Sequence, residues 1–456
     1  MKMKLAEIAK AINVKNDITA WQDVEVSSVA FDSRALDGGA LFVPLSGQQD
    51  GHEFVASAFE HGAAASLWAS DHEIINQNQP LLVVDDPLTA LQELGRYYLH
   101  KINPIVVAVT GSNGKTTTKD MIASILSTQM NVTKTFENFN NHIGVPVTLL
   151  NMESNTEAVV VEMGMDHFGE LDDLSQLVTP DFAVITMIGE AHIEFFGSRD
   201  KIADAKMEIV NGLKEDGTLI FNGDEPLLTE RAEKIEQESI DFGRQLNNNL
   251  YATSVTTTAY SLEFVVNEWP EVTFQVPMIG EYNVTNALAA LSVGKLLRVP
   301  VKQMKAALSS PDITRNRTEW INGRAGEKIL SDVYNSNPTA VKEVLNAFSQ
   351  AETNGKRIVV LGDMLELGEN SNEFHRELAS SFDTSKFDEV FLLGHHMKAL
   401  YDALEDSYHE HVHYFEADDK SSMTAELISL VTKDDLVAIK ASHGLHLETV
   451  LDGLTR

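Results

Sequence analysis

The sequence predicts an α/β protein of three domains, the middle one built on a doubly wound, mostly parallel sheet. Short β-branched runs alternate with amphipathic stretches along most of the chain, as in successive βαβ units. At 456 residues the chain is too long for one ordinary domain. One stretch, PIVVAVTGSNGKTTTKDMIASILST at 104–128, reads as a buried strand, a glycine turn and a helix.

That stretch organises the rest. Residues 105–109 form its strand. Gly111 and Gly114 can take positive φ and bring backbone N–H groups close to an anion. Lys115 opens the helix, and Met121, Ile122, Ile125 and Leu126 give it an apolar face. Gly111, Ser112, Asn113, Gly114, Lys115, Thr116 and Thr117 are therefore candidate nucleotide contacts. Lys115 can reach the β- and γ-phosphates, and the Thr116 hydroxyl can bind Mg²⁺. The spacing is the short form G-x-x-G-K-T, since Val109 stands where a longer P-loop has its first glycine.

Composition narrows the function classes. The apolar fraction of 43% suits a globular chain with real cores. Cysteine is absent, which removes disulfide and thiolate chemistry and agrees with a cytoplasmic location. The segment MKMKLAEIAKAI carries Glu7 and sets Leu5, Ile8 and Ile12 on one helical face, unlike a signal peptide. No apolar run approaches the ~20 residues of a membrane span. Against 68 Asp and Glu stand 35 Lys and Arg, a net charge of −33. Such a surface repels nucleic acid and anionic membrane, so any phosphate site is a local exception.

The first unit, 1–85, contains FDSR and LFVPLSGQQDGHEF. Residues 41–43 read as a strand and 54–60 as a helix. Asp32, Ser33, Arg34, Ser46, Gln48, Asp50, Gly51 and His52 cluster between them, which spacing alone reads as loop chemistry. The middle unit, 86–312, begins with a helix at 88–100. After the P-loop helix comes NFNNHIGVPVTLL, which carries Asn138 and Asn141. The strand 159–161 delivers Glu162 to its C-terminal end, the ligand edge of an open α/β sheet. A carboxylate there can bind Mg²⁺ or cap a helix. His192 follows the strand 182–188 and is either a ligand or a satisfied structural imidazole. Alternating Thr and apolar residues at 247–277 read as a small antiparallel portion. GEYNVTNALAALSVGKLL carries Asn283 and Asn286 into an amphipathic helix. The last unit, 313–456, repeats the α/β pattern, with polar loops DVYNSNP, GDMLELGENSNEFH and KASHG at strand ends.

TGSNGKTTTKD, VEMG, AHIEFFGS and GEYNVTNALAA together resemble the ATP-dependent Mur ligases, which build the peptide stem of the peptidoglycan precursor. The resemblance spans nearly the whole chain. It implies an amide ligase that activates a peptide carboxylate as an acyl phosphate, with ATP and Mg²⁺ as cofactors. FDSR with the DGH segment is similar to the UDP-binding domain of the late-acting members. DVYNSNPTAV and VLGDMLELG are similar to the third domain of members that add D-alanyl-D-alanine to UDP-N-acetylmuramoyl-tripeptide. Such a resemblance implies Lys115 and Arg317 at the γ-phosphate, and Thr116, Glu162, His192 and Lys206 around Mg²⁺, with Lys206 carbamylated as in several members. It implies Asn283 and Asn286 near adenine, Asp332 at the ribose, and Tyr334, Asn335 and Asn337 near the dipeptide. Ser33, Arg34, Asp50, Gly51 and His52 are then expected around the uridine nucleotide, with Asn138 and Asn141 also on the substrate side. Tyr282, Ser336, Ala441 and His443 depart from the usual family pattern. The implied enzyme is a cytoplasmic monomer with no nucleic-acid or membrane partner. The alternatives are a sister Mur or folylpolyglutamate-type ligase and, from another class, a P-loop switch that controls partner binding.

Overall fold

A computed structural model describes residues 1–34, 36, 38–47, 49–74, 78–258, 260–315 and 317–455. Gln48, of the polar loop cluster, lies outside the described residues. Three sheets carry the fold, and a small antiparallel pair joins Met3–Lys4 to Glu25–Val26.

The first sheet is wholly parallel, in the order Ser28–Ala30, Ala40–Phe42, Ala65–Ala69 and Leu81–Val84. Its expected helix begins one turn early, as a 3₁₀ turn at Gly51–Phe54 continued by Val55–Glu60. The reason is local: Asp50 accepts the His52 N–H at 3.0 Å and caps that turn. The next helix, Pro87–Ile102, is bounded by Asp86, whose carboxylate accepts the Thr89 N–H at 2.7 Å, and by Asn103 at φ +53°. This helix packs on Gly144–Leu150, where Gly95 lets the two backbones approach: a Cβ there would lie 3.2 Å from Pro146 Cα.

The central sheet has nine strands. From one edge the order is Trp269–Val276, Leu262–Val266, Leu250–Thr257, Glu238–Gly243, Thr218–Asn222, Phe182–Ile185, Ile105–Thr110, Ala158–Glu162 and Val132–Lys134. Seven of these, from Leu250–Thr257 to Val132–Lys134, run parallel, and the first three are joined antiparallel, the portion expected at 247–277. Alternation sorts the strand residues between two cores. Val106, Ala108, Val159 and Val161 face the Pro87–Ile102 helix and the first unit. Val107, Val109, Ala158 and Val160 face the helices Lys115–Leu126 and Tyr282–Leu296. The strand expected at 182–188 stops at Ile185, because Thr186 Oγ1 and Met187 O turn away to bond Asn113 O and Ser112 N.

The third sheet runs Glu319–Asn322, Lys328–Asp332, Leu436–Lys440, Arg357–Gly362, Glu389–Leu393, Val412–Phe415, all parallel except the first pair. Among the described residues, no helix is long and apolar enough to cross a membrane.

Leu291 is fully buried between the central sheet and its flanking helix. Leu291→Ala is expected to cost about 2–5 kcal/mol, seen as a lower urea midpoint at an unchanged slope.

Candidate active site

The parallel register sets the nucleotide loop beside Glu162. Val109 pairs with Glu162 on one side of the strand, and Thr110 pairs with Ile185 on the other. The chain then turns through Gly111 at φ +150° and Gly114 at φ +80° into the Lys115–Leu126 helix. A Cβ on Gly111 would collide with Thr186 Oγ1, and one on Gly114 with Asn286 Oδ1, so both glycines are needed for close approach as well as for φ.

A cavity of about 970 Å³ opens above this loop. Ser112, Asn113, Gly114, Lys115, Thr116, Thr117, Asn138, Asn141, Glu162, His192 and Asn286 line it from the central unit. Arg317, Asp332, Tyr334 and Asn335 line it from the opposite side. The sequence-predicted residues from 112 to 335 thus converge, with four exceptions among them or beside them. Gly111 lies in the floor of the loop. Lys206 and Asn283 lie behind the wall, buried to 2% and 1% exposure. Asn283 spends its amide on Ile279 O at 2.8 Å and on the Asn286 amide at 3.0 Å. Asn337 caps the Pro338–Ser349 helix and exchanges two hydrogen bonds with Asn113, at 2.7 and 3.2 Å.

Charge in the site is unbalanced. Lys115 Nζ donates to Gly111 O at 2.8 Å. Burial pulls the Lys115 pKa down; Glu162 opposes that shift and Arg317 adds to it. Lys206 is lowered far more, by burial and then by Lys115. Among the described residues no ion pair or hydrogen bond reaches Lys206 Nζ. Arg317 stacks over the Tyr334 ring with its Cζ 3.8 Å from the centroid, and its buried Nε has no partner. Glu162 is 1% exposed. Its Oε1 accepts from Asn140 Nδ2 at 2.8 Å, while its Oε2 has no hydrogen bond and lies 3.9 Å from Lys119 Nζ. A carboxylate oxygen left so, beside the buried Thr116 hydroxyl, fits a divalent cation. His192 lines the cavity at φ +61°, with Nδ1 2.5 Å from Glu366 Oε2.

The five first-unit residues do not line this cavity. Ser33 is buried, and Arg34 is exposed and forks onto Asp32 at 2.9 and 2.8 Å. Asp50 joins His52 Nδ1 at 2.7 Å and His72 Nε2 at 2.8 Å. His52 Nε2 accepts the Ala69 N–H at 3.1 Å, so both its ring nitrogens are engaged. A Cβ on Gly51 would lie 2.6 Å from Leu45 O. The His52 and His72 rings stack at 3.8 Å and 16°, which keeps them from sharing one metal ion in both ring planes.

Family models for "Mur ligase family, catalytic domain", "Mur ligase middle domain" and "Mur ligase, glutamate ligase domain" match residues 25–99, 109–294 and 316–443. The UDP-N-acetylmuramoyl-tripeptide–D-alanyl-D-alanine ligase of Bacillus subtilis (strain 168) is 41% identical over 100% of this chain and 98% of its own length. The chain belongs to the Mur ligase family. The same-named protein of Escherichia coli (strain K12) is 31% identical over 98% of each chain. A crystal structure of MurF from Acinetobacter baumannii superposes with a TM-score of 0.88 at 28% identity, covering 99% of this chain and 98% of that one. MurF ligase from Thermotoga maritima in complex with ADP gives 0.78 at 28% identity, covering 94% and 97%.

Lys119 and Glu343 of this Mur ligase site escaped the sequence reading, which gave Lys440 no role and His443 only as a departure from the family pattern. Lys119 is fully buried and donates to Thr135 O at 2.8 Å. Lys440 bonds Asp332 Oδ2 and Asn335 O, each at 2.6 Å, as the paired register of Asp332 and Lys440 allows. His443 stacks on Tyr334 at 5.3 Å. Glu343 lines the cavity with a pKa pushed up to about 7 by burial and Glu190, against Lys440. Lys440 and His443 stand in the flagged KASHG loop. Glu343 lies in a helix whose pattern carries no such signal.

Lys206 binds its proton less tightly folded than unfolded, so its penalty is complete below the folded pKa and fades as pH rises toward 10.5. Lys206→Met is therefore expected to raise the melting temperature of the ligand-free protein near neutral pH, with the gain shrinking toward pH 10, while abolishing turnover.

Proposed function

We propose that this chain is the ATP-dependent ligase that joins D-alanyl-D-alanine to UDP-N-acetylmuramoyl-tripeptide, forming a peptidoglycan precursor. The observation that carries the reading is the single cavity in which the nucleotide loop of one unit faces Arg317, Asp332, Tyr334 and Asn335 of another. It agrees with the full-length likeness to ligases of that name in Bacillus subtilis and Escherichia coli.

The peptide's terminal carboxylate is a poor electrophile at neutral pH, so ATP phosphorylates it first. In-line transfer concentrates negative charge on the moving phosphoryl group, and Lys115 and Arg317 offset it. The loop's backbone N–H groups and the helix N-terminus hold the remaining phosphates. Thr116 and Glu162 would hold Mg²⁺, with His192 near a second Mg²⁺ and Lys206 alongside. When bound, these ions neutralise charge on the β- and γ-phosphate oxygens. A carbamate on Lys206 would supply oxygens where an ammonium repels. The dipeptide amine then attacks the acyl phosphate, and phosphate leaves from the tetrahedral intermediate. Water must be kept out, which favours closure of the third unit over the other two.

Asn286 flanks the adenine side with Asn283 bracing it from behind, Asp332 the ribose, and Tyr334 and Asn335 the dipeptide, with Asn337 tied to Asn113 at the border. Units 1–85, 86–312 and 313–456 divide the uridine nucleotide, ATP and dipeptide among them, with Ser33, Arg34, Asp50, Gly51 and His52 in the first and Asn138 and Asn141 at its border. Work on a UDP-linked intermediate with ATP places the enzyme in the cytoplasm.

Phosphate release should require all three substrates. Lys115→Ala should lower it by about 10³-fold or more at an unchanged circular-dichroism spectrum and melting profile. Near-normal turnover by that variant would rule out this role for Lys115.

A further inference from the structure

The segment that leaves the central unit toward the third sheet, 310–315, is fastened to the helix that opens the nucleotide loop. Asp120 and Ser124 lie one turn apart on that helix. Ser124 Oγ accepts the Asp312 N–H at 3.2 Å. Asp120 Oδ2 accepts both the N–H and the hydroxyl of Thr314, each at 2.8 Å. Asp120 Oδ1 faces Lys134 Nζ at 2.8 Å and Lys119 Nζ at 3.5 Å. Lys134, from the edge strand, donates in turn to Asp312 O at 2.8 Å and pairs with its carboxylate at 3.0 Å. Asp120 is fully buried. Three residues past Thr314 stands Arg317, with its unpartnered Nε in the cavity wall.

We propose that Asp120 is a positioning residue for Arg317. The carboxylate holds the crossing segment against the helix whose first residue is Lys115, about 7.5 Å away along the axis. Arg317 is thereby set in the frame of the phosphate cradle rather than in that of the third sheet alone. The helix does not need Asp120 for its own seat: Met121, Ile122, Ile125 and Leu126 pack into the central core. What the buried carboxylate meets is Thr314 of the strap and the two lysines, so its loss releases the strap at Thr314, on the side toward Arg317, and misplaces the guanidinium, while Ser124 and Lys134 still hold Asp312. A displacement of about 1 Å at such a group can cost about 10²-fold in rate.

The inference rests on the ligase reading, and a double-mutant cycle on the full chain separates the two. Phosphate release is measured with ATP, UDP-muramoyl-tripeptide and D-alanyl-D-alanine for Asp120→Ala, Arg317→Ala and the pair. Arg317→Ala should lower kcat by about 100-fold, Asp120→Ala by about 30-fold with the tripeptide KM within about 3-fold, and the pair by little more than Arg317→Ala alone. Multiplying effects, or an Asp120→Ala kcat within about 3-fold of the unaltered chain, would overturn the proposal. If Asp120→Ala does not fold, Thr314→Val removes only the hydroxyl donor. Its expected drop of about 3–10-fold should vanish in the Arg317→Ala background, and an equal drop in both backgrounds overturns the role. Should the unaltered chain release phosphate without the tripeptide or dipeptide, the ligase reading falls, and this inference with it.

Discussion

Partly desolvated positive charge beside the nucleotide loop is the constraint on which the site depends. Lys115 stands in the field of Arg317, and Lys206 in that of Lys115, beside the C-terminal edge of the central sheet. In a chain of net charge −33 these cations are placed by position rather than by composition, beside a cavity that carboxylates also line. Desolvation makes each ammonium costly, and their mutual repulsion adds to that cost. A polyanion entering the cavity relieves both at once, so part of the binding free energy is prepared before the ligand arrives. Glu162, with one oxygen held by Asn140 and the other free, offers the nearby negative charge.

The sheets bring this about because parallel strands end at a common edge. Val109 beside Glu162, and Asp332 beside Lys440, are register pairs in two separate sheets. Each pair stands at the C-terminal end of its strand, and the two edges face each other across one cavity. Both polar and apolar contacts join the two units, for Ile279, Ile193 and Tyr282 of the central unit pack with the core of the third. The Asn113–Asn337 amide pair, Thr339 to Glu190 at 2.6 Å, and the His192–Glu366 contact hold the third unit in place. Such contacts are exchangeable with water, whereas the cores on each side of the sheets are not.

Much of this was legible in the sequence. Local signals placed the P-loop, its strand and helix, the antiparallel portion and Glu162 at a strand end. The strand at 105–109 and the glycines needed only periodicity and turn chemistry. What escaped reading depends on partners distant in sequence. Asn337 is bound to Asn113, 224 residues away, and Asp120 to Thr314, 194 residues away. No spacing rule reports such pairs. The end of the 182–185 strand was misjudged by three residues, because Thr186 and Met187 serve the P-loop instead of the ladder. The sequence left His192 open between a ligand and a structural imidazole, and only the fold brings Glu366 to it.

The outer strands of the nine-stranded sheet bear on how the protein behaves when crowded. Trp269–Val276 closes one side with exposed Pro270, which has no N–H to lend, and with Glu271 beside it. Val132–Lys134 closes the other with three residues, the last tethered to Asp120 and Asp312. Pro270 and Glu271 interrupt one border near its start, and the other is only three residues long, so both margins disfavour growth of the sheet by strand addition.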